Sequence, residues 1–110
     1  MYVNEYFFLK DEYVDLLADL EPEFGYDGFG EIVFYRTYSR TKDNGGQENW
    51  LDVVLRCING TMSIRKDWYV RNYVYWDEEY WQQFAYKMAL YLYKMYWMPA
   101  GRGLWAMGTK

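Results

Sequence analysis

Apolar residues recur at helical spacing in three stretches of the chain. The first, within residues 5–20, predicts a one-faced helix through the apolar positions Tyr13, Leu16, Leu17 and Leu20. The second predicts an amphipathic helix from Trp50 to Ile58, closed by the C-cap signal Asn59-Gly60. The third opens on the acidic residues 77–79 and continues to Met98, before Pro99. Its apolar face is broad, which predicts the longest helix and neighbours on more than one side.

The segments between these stretches carry weaker signals. Residues 25–30 and 41–46 are glycine-rich and predict loops. Residues 31–40 combine β-branched and aromatic side chains with some helical spacing, so periodicity alone leaves both strand and helix open. Residues 61–75 predict an irregular connection in which basic and aromatic residues alternate. Such interleaving occurs in nucleic-acid binders, but in an acidic chain it favours a packed connection.

Aromatic residues make up 24% of the 110 residues, with 14 Tyr, 6 Trp and 6 Phe. A chain of this length forms at most one small domain, which cannot cover so many large rings. Some rings should therefore face a partner, or the rest of a larger protein of which this chain is a part.

Charge and composition exclude several kinds of chemistry. The net charge of −4 and pI of about 4.8 argue against a nucleic-acid binder. The chain has no histidine, and its single cysteine, Cys57, falls in the apolar stripe of the second helix, which indicates a packed thiol rather than a nucleophile. No catalytic constellation or metal-ligand set can be assembled. No run approaches the roughly 18 apolar residues of a membrane span, and no signal peptide begins the chain, so we expect a cytoplasmic protein without a membrane partner.

The last residues, 99–110, form what we call the closing tract. A Pro-Ala-Gly break is followed by Arg102 between two glycines and then by Leu-Trp-Ala-Met-Gly-Thr. This composition predicts an exposed backbone that leaves the third helix toward a bound molecule. Gly101-Arg102-Gly103 is too short for a phosphate-binding loop, and no Gly-Lys-Ser/Thr is present. The guanidinium of Arg102 could nevertheless reach an anionic group. Arg36 and Arg40 could do the same, although ion pairs with the many acids are the favoured alternative.

Three blocks of sequence carry a family resemblance. They are Phe34-Tyr35-Arg36-Thr37-Tyr38-Ser39-Arg40, then Glu48-Asn49-Trp50 with the helix ending Arg56-Cys57-Ile58-Asn59-Gly60, and then residues 97–109. In order and spacing they resemble the N-terminal region of the adenosylcobalamin-dependent (class II) ribonucleoside-triphosphate reductases. The resemblance covers roughly residues 25–109 and favours helix over strand for residues 30–40.

The resemblance implies an enzyme that reduces ribonucleoside triphosphates to deoxyribonucleotides for DNA synthesis. Adenosylcobalamin generates a cysteine thiyl radical in that family, and two further cysteines are re-reduced by a thioredoxin-like partner. The implied fold is a ten-stranded α/β barrel with a mainly α, N-terminal helical segment packed against it. We expect residues 1–110 to be that segment, with about three helices and loops, ending before the first barrel strand and depending on the remainder of the reductase chain.

No catalytic, cofactor or metal residue can be carried over from the family, since Cys57 matches none of its chemical cysteines. The resemblance places the closing tract near the substrate phosphates, so the substrate-binding candidates are Gly101, Arg102, Gly108 and Thr109. The segment alone is expected to be inactive, as one half of a split gene, an interrupted gene or a truncated one. The alternative is a free-standing module that binds a reductase or another partner, and a weaker one is a small aromatic-rich fold unrelated to reductases.

Overall fold

The computed structural model describes residues 4–20, 39, 42, 46–95 and 107–108. Within these residues the chain forms three helices and no strand: α1 (Asp11–Ala18), α2 (Trp50–Arg71) and α3 (Glu78–Tyr93). The expectation of a mainly α segment with about three helices is confirmed. The helix favoured for residues 30–40 lies outside the described residues, apart from Ser39.

Helix α2 is longer than its sequence pattern predicts. It begins with a capping box, in which the Asn49 side chain accepts from the amide of Asp52 and the Asp52 carboxylate accepts from the amide of Asn49. The predicted end at Asn59-Gly60 is wrong, and so is the irregular connection predicted over residues 61–75, because the helix continues to Arg71. At 22 residues it exceeds the 16 of α3, which is therefore not the longest helix.

Helix α2 ends in a Schellman motif. The amide of Tyr73 donates to the carbonyl of Val70 at 3.2 Å, and that of Val74 donates to the carbonyl of Tyr69 at 2.8 Å. This geometry requires a left-handed conformation at the first of the two donor residues, and Tyr73 adopts it with a φ of 58°. Glycine is the usual residue there, so the sequence carries no signal for this helix end.

Helix α3 begins where the acidic residues predict. The Asp77 carboxylate accepts from the amide of Tyr80 at 3.2 Å, and Glu78 and Glu79 occupy the first turn. The predicted continuation to Met98 is wrong, because the helix ends at Tyr93 and Met95 adopts a φ of 61°.

The residues before α1 do not form the helix predicted from residue 5. Residues 4–10, which we call the N-terminal strap, cross α2 and α3 with their amides bonded to side chains of those helices. Those acceptors replace the carbonyls that a helix would use, so α1 begins only at Asp11. The donor and acceptor pairs are Asn4 to Asp67, Phe7 to Ser63, Leu9 to Asn59 and Lys10 to Gln82, at 2.8–3.0 Å.

The core lies between α2 and α3, with α1 against α3 and the strap across both longer helices. Ala85 and Ala89 are fully buried on α3. Tyr93 joins three parts of the fold, since its carbonyl accepts from the Trp50 indole at 3.0 Å and its hydroxyl donates to the carbonyl of Leu20 at 2.7 Å. The buried side chains are Phe7, Leu9, Leu17, Trp50, Val53, Val54, Cys57, Ile58, Met62, Ala85, Ala89, Leu92 and Tyr93.

Many rings remain uncovered, as the composition predicts. Trp76 stacks on Trp81 at 5.1 Å and Tyr69 packs edge-on against both. In contrast, the side chains of Tyr73 and Tyr75 are 96% and 81% exposed. The further exposed aromatic side chains among the described residues are Tyr6, Phe8, Trp68, Tyr80, Phe84 and Tyr91.

The basic residues that alternate with these rings have partners in the fold. Arg65 lies 5.2 Å from the ring centre of Trp81, and Arg71 pairs with Asp67 one turn earlier. Lys66 lies 3.8 Å from the Glu78 carboxylate. These cations therefore belong to a packed segment, although it is helical rather than irregular.

Candidate functional site

The part of the closing tract that the structure describes, Met107 and Gly108, lies directly on α2. A Cβ built on Gly60 would be 2.6 Å from the Cα of Gly108 and 2.7 Å from its nitrogen. A Cβ built on Gly108 would collide with the backbone carbonyl of Arg56. The two glycines thus let the backbone of the tract touch the backbone of the helix.

An arginine holds the tract on this surface. The Nη1 of Arg56 donates to the carbonyl oxygen of Met107 at 2.8 Å. Its Nε and Nη2 donate to the two carboxylate oxygens of Glu48 at 2.9 and 3.1 Å. The side chains of both charged partners are only 11% exposed, so the fork is rigid and largely withdrawn from water.

Glu48, the ion-pair partner of Arg56, is itself held in place by neighbouring residues. Glu48 lies just before the α2 capping box, and its backbone carbonyl accepts from the buried hydroxyl of Ser39 at 2.7 Å. The loop before α2, the first turns of α2 and the closing tract therefore meet at one point. This arrangement holds a backbone segment in place, and its carboxylate and hydroxyl groups are engaged in that structural role.

The thiol of Cys57, the residue after Arg56, also has a structural environment. Cys57 is buried in the core, as its place in the apolar stripe predicts. Burial raises its pKa, with Glu48 adding to the rise and Arg56 opposing it. A thiol held in its neutral form is a poor nucleophile.

One of the four predicted site residues lies within the described part of the chain. Gly108 is described and lies on α2, whereas Gly101, Arg102 and Thr109 fall outside the described residues. The surrounding residues Glu48, Arg56 and Gly60 were not among the predicted site residues. The sequence signal for Gly60 is a glycine inside an otherwise regular apolar pattern. The same signal is typical of a helix end, which is what the sequence predicts at Asn59-Gly60.

The chain is similar to known proteins over almost its whole length. The family model of the ribonucleotide reductase alpha domain matches residues 9–109. The adenosylcobalamin-dependent ribonucleoside-triphosphate reductase of Euglena gracilis is 39% identical over 106 residues, which are 96% of this chain and 14% of the relative. A Dictyostelium discoideum protein named for the same activity is 35% identical over 103 residues, 94% of this chain and 14% of its own length.

A solved structure extends the likeness to three dimensions. The crystal structure of a B12-dependent (class II) ribonucleotide reductase superposes with a TM-score of 0.78 at 27% identity, over 93% of this chain and 14% of that one. None of the described helices is both long and apolar enough to cross a membrane. The chain spans about one seventh of the length of these relatives. Since the family model covers nearly all of it, the chain belongs to the ribonucleotide reductase alpha-domain family.

Proposed function

We propose that this chain is the N-terminal helical segment of an adenosylcobalamin-dependent ribonucleoside-triphosphate reductase. The complete enzyme would convert ribonucleoside triphosphates to deoxyribonucleoside triphosphates for DNA synthesis, with electrons from a thioredoxin-like reductant. The observation that carries the proposal is the seating of the closing tract on α2, at Gly60 and Arg56. It occurs in a chain 39% identical to such a reductase over 96% of its length.

The role proposed for the segment is to present the closing tract to the substrate triphosphate. Gly101, Arg102, Gly108 and Thr109 are the proposed substrate-binding positions, through backbone amides and the guanidinium of Arg102. Backbone amides in a glycine-containing turn suit phosphate oxygens, and an arginine adds paired donors. The segment alone would be inactive, since its one cysteine is buried in the core.

The described residues do not fit a cobalamin. They hold no cluster of His, Cys, Asp or Glu able to bind a metal ion, and their buried side-chain polar atoms all have hydrogen-bond partners. A cavity near the strap, lined by Asn4, Glu5, Asp67, Val70 and Arg71, measures only about 140 Å³. Any cobalamin site would therefore lie outside the described residues.

A chimera tests the proposal directly. This chain would replace the matching 14% of the Euglena gracilis reductase, and formation of dCTP from CTP would be measured with adenosylcobalamin and a dithiol. We expect the chimera to reduce CTP and the isolated 110-residue chain to produce none under the same conditions.

The controls separate the alternatives. The Euglena gracilis enzyme lacking the segment should be inactive, which shows that the segment is needed. A folded chimera without activity would contradict the proposal, and tight binding of the isolated chain to the intact enzyme would then favour a free-standing binding module. Reduction of CTP by the isolated chain would contradict the expectation that the segment is inactive alone.

A further inference from the structure

Gly60 in α2 and Gly108 in the closing tract are in close backbone contact. We propose that Gly60, together with the Glu48–Arg56 ion pair, positions the closing tract for the substrate triphosphate. This inference rests on the proposed function and adds residues to it that touch the tract rather than the substrate. Gly60, Glu48 and Arg56 are accordingly positioning residues.

The presence of glycine at position 60 needs an explanation. Position 60 lies in the interior of α2, where glycine costs about 1 kcal/mol of helix stability relative to alanine. Gly60 is buried, so no solvent-exposed turn requires it. The nearest atoms to a Cβ at this position belong to the backbone of Gly108, at 2.6 and 2.7 Å. Those atoms cannot move away as the end of a side chain could, and glycine is the residue that admits them.

Gly108 is constrained in the same way from the other side. Its φ of 78° lies in the left-handed region, and an added Cβ would meet the carbonyl of Arg56. Gly108 therefore meets α2 backbone to backbone. Such a contact limits how far the backbone at Gly108 can move relative to the helix.

Arg56 fixes the orientation of the tract. Its guanidinium binds the carbonyl oxygen of Met107 and is held by both oxygens of Glu48. The described peptide bonds are trans, so the N–H of Gly108 points opposite to that carbonyl and away from the guanidinium. The ion pair thereby aims the Gly108 amide, one of the proposed phosphate donors, away from Arg56.

The test uses the active chimera described above and the substitution Gly60→Ala. We expect KM for CTP to rise about tenfold or more, since small displacements of binding groups are costly, while kcat changes less. Amide hydrogen exchange in residues 99–109 should become faster. The melting temperature is measured alongside, because the clash with the Gly108 backbone opposes the gain in helix propensity from alanine.

Two further variants make the result specific. Thr61→Ala, at the exposed neighbouring position on α2, should change neither KM nor exchange. Arg56→Lys keeps the charge but cannot bind both Glu48 oxygens and the Met107 carbonyl together. Arg56→Lys should reproduce the higher KM for CTP. It takes the place of Gly60→Ala in the test if that variant does not fold.

Some outcomes would overturn the inference. If exchange in the closing tract is faster in Gly60→Ala while KM is unchanged, the tract does not need this position for substrate binding. If neither quantity changes, Gly60 does not hold the tract. Lack of activity in the folded, unsubstituted chimera would instead be a failure of the proposed function, and it is visible before any substitution is made.

Discussion

At the scale of single residues, Tyr73 occupies a position that normally belongs to glycine. Its φ of 58° is required by the Schellman motif that ends α2. An L-residue in this conformation costs about 1–2 kcal/mol. Because Tyr73 is 96% exposed, burial of its ring offsets little of this cost. The strain at this turn is local, and it can be relieved by a single substitution.

Replacing this tyrosine should stabilise the protein. We expect Tyr73→Gly to raise the free energy of unfolding by about 1 kcal/mol, because glycine removes the left-handed strain but adds unfolded-state entropy. Tyr73→Asn should give part of the gain, since asparagine tolerates this region. Urea denaturation measures both. Tyr75→Gly is the matched control, an exposed tyrosine of the same loop without a positive φ, and it should give no gain.

At the scale of elements, the N-terminal strap is held mainly through its backbone. Asn59, Ser63 and Asp67 follow one another at intervals of four on α2 and accept amide protons from the strap. Gln82 on α3 makes two bonds to the strap, since it accepts from the amide of Lys10 and donates to the carbonyl of Phe8, at 2.9 Å each. Ser63 and Gln82 are both 2% exposed, so these bonds are shielded from water and expensive to leave unmade.

Removing one of these acceptors should loosen the strap. We expect Ser63→Ala to lower the free energy of unfolding by about 1–3 kcal/mol, since the buried Phe7 amide loses its partner. Hydrogen exchange at the Phe7 amide should accelerate with it. The exposed neighbour Thr61→Ala should leave both unchanged, and equal losses in the two variants would show that the bond to Phe7 contributes nothing.

The starts of α2 and α3 could be predicted from the sequence, but the start of α1 and the ends of α2 and α3 could not. The start of α3 followed from the acids at 77–79, and the stripe through Trp50, Val54 and Cys57 identified the core face of α2 correctly. Gly60 was misread because the signal for a helix end is the same as that for a close backbone contact. The contact partner, Gly108, lies 48 positions away along the chain, and helical periodicity carries no information about it.

Among the site residues, only Gly108 could be proposed from sequence and then located in the structure. Arg56 belongs to the family-like block Arg56-Cys57-Ile58-Asn59-Gly60, but the sequence predicts no partner for its side chain. Its actual partner in the closing tract is a carbonyl group, which every residue has and which no sequence pattern marks. Long-range side-chain to backbone bonds of this kind escape prediction from a single sequence.

At the scale of the whole molecule, the carboxylate of Glu78 connects α3 with α2 and with the loop of residues 72–77 between them. Glu78 accepts from the Trp76 indole at 2.6 Å and from Gln82 at 2.9 Å, and lies 3.8 Å from Lys66 of α2. Partial burial tends to raise its pKa, but the hydrogen bonds from Gln82 and Trp76 and the charges of Lys66 and Lys10 outweigh it. The pKa of Glu78 is therefore lowered in the folded protein.

This lowered pKa makes folding stability depend on acid pH. The folded state favours the ionised form, so Glu78 stabilises the protein above its unfolded pKa of about 4.3, and the contribution is lost as pH falls through the lower folded value. We expect Glu78→Gln to be less stable than the parent chain at pH 7, with the difference narrowing below about pH 4. Denaturation at pH 7, 5 and 3 measures this. Glu79→Gln, a neighbouring exposed position on α3, is the control for net charge. If Glu79→Gln shows the same pH-dependent loss, general charge would explain the effect, and the contacts of Glu78 with the loop and the two helices would not.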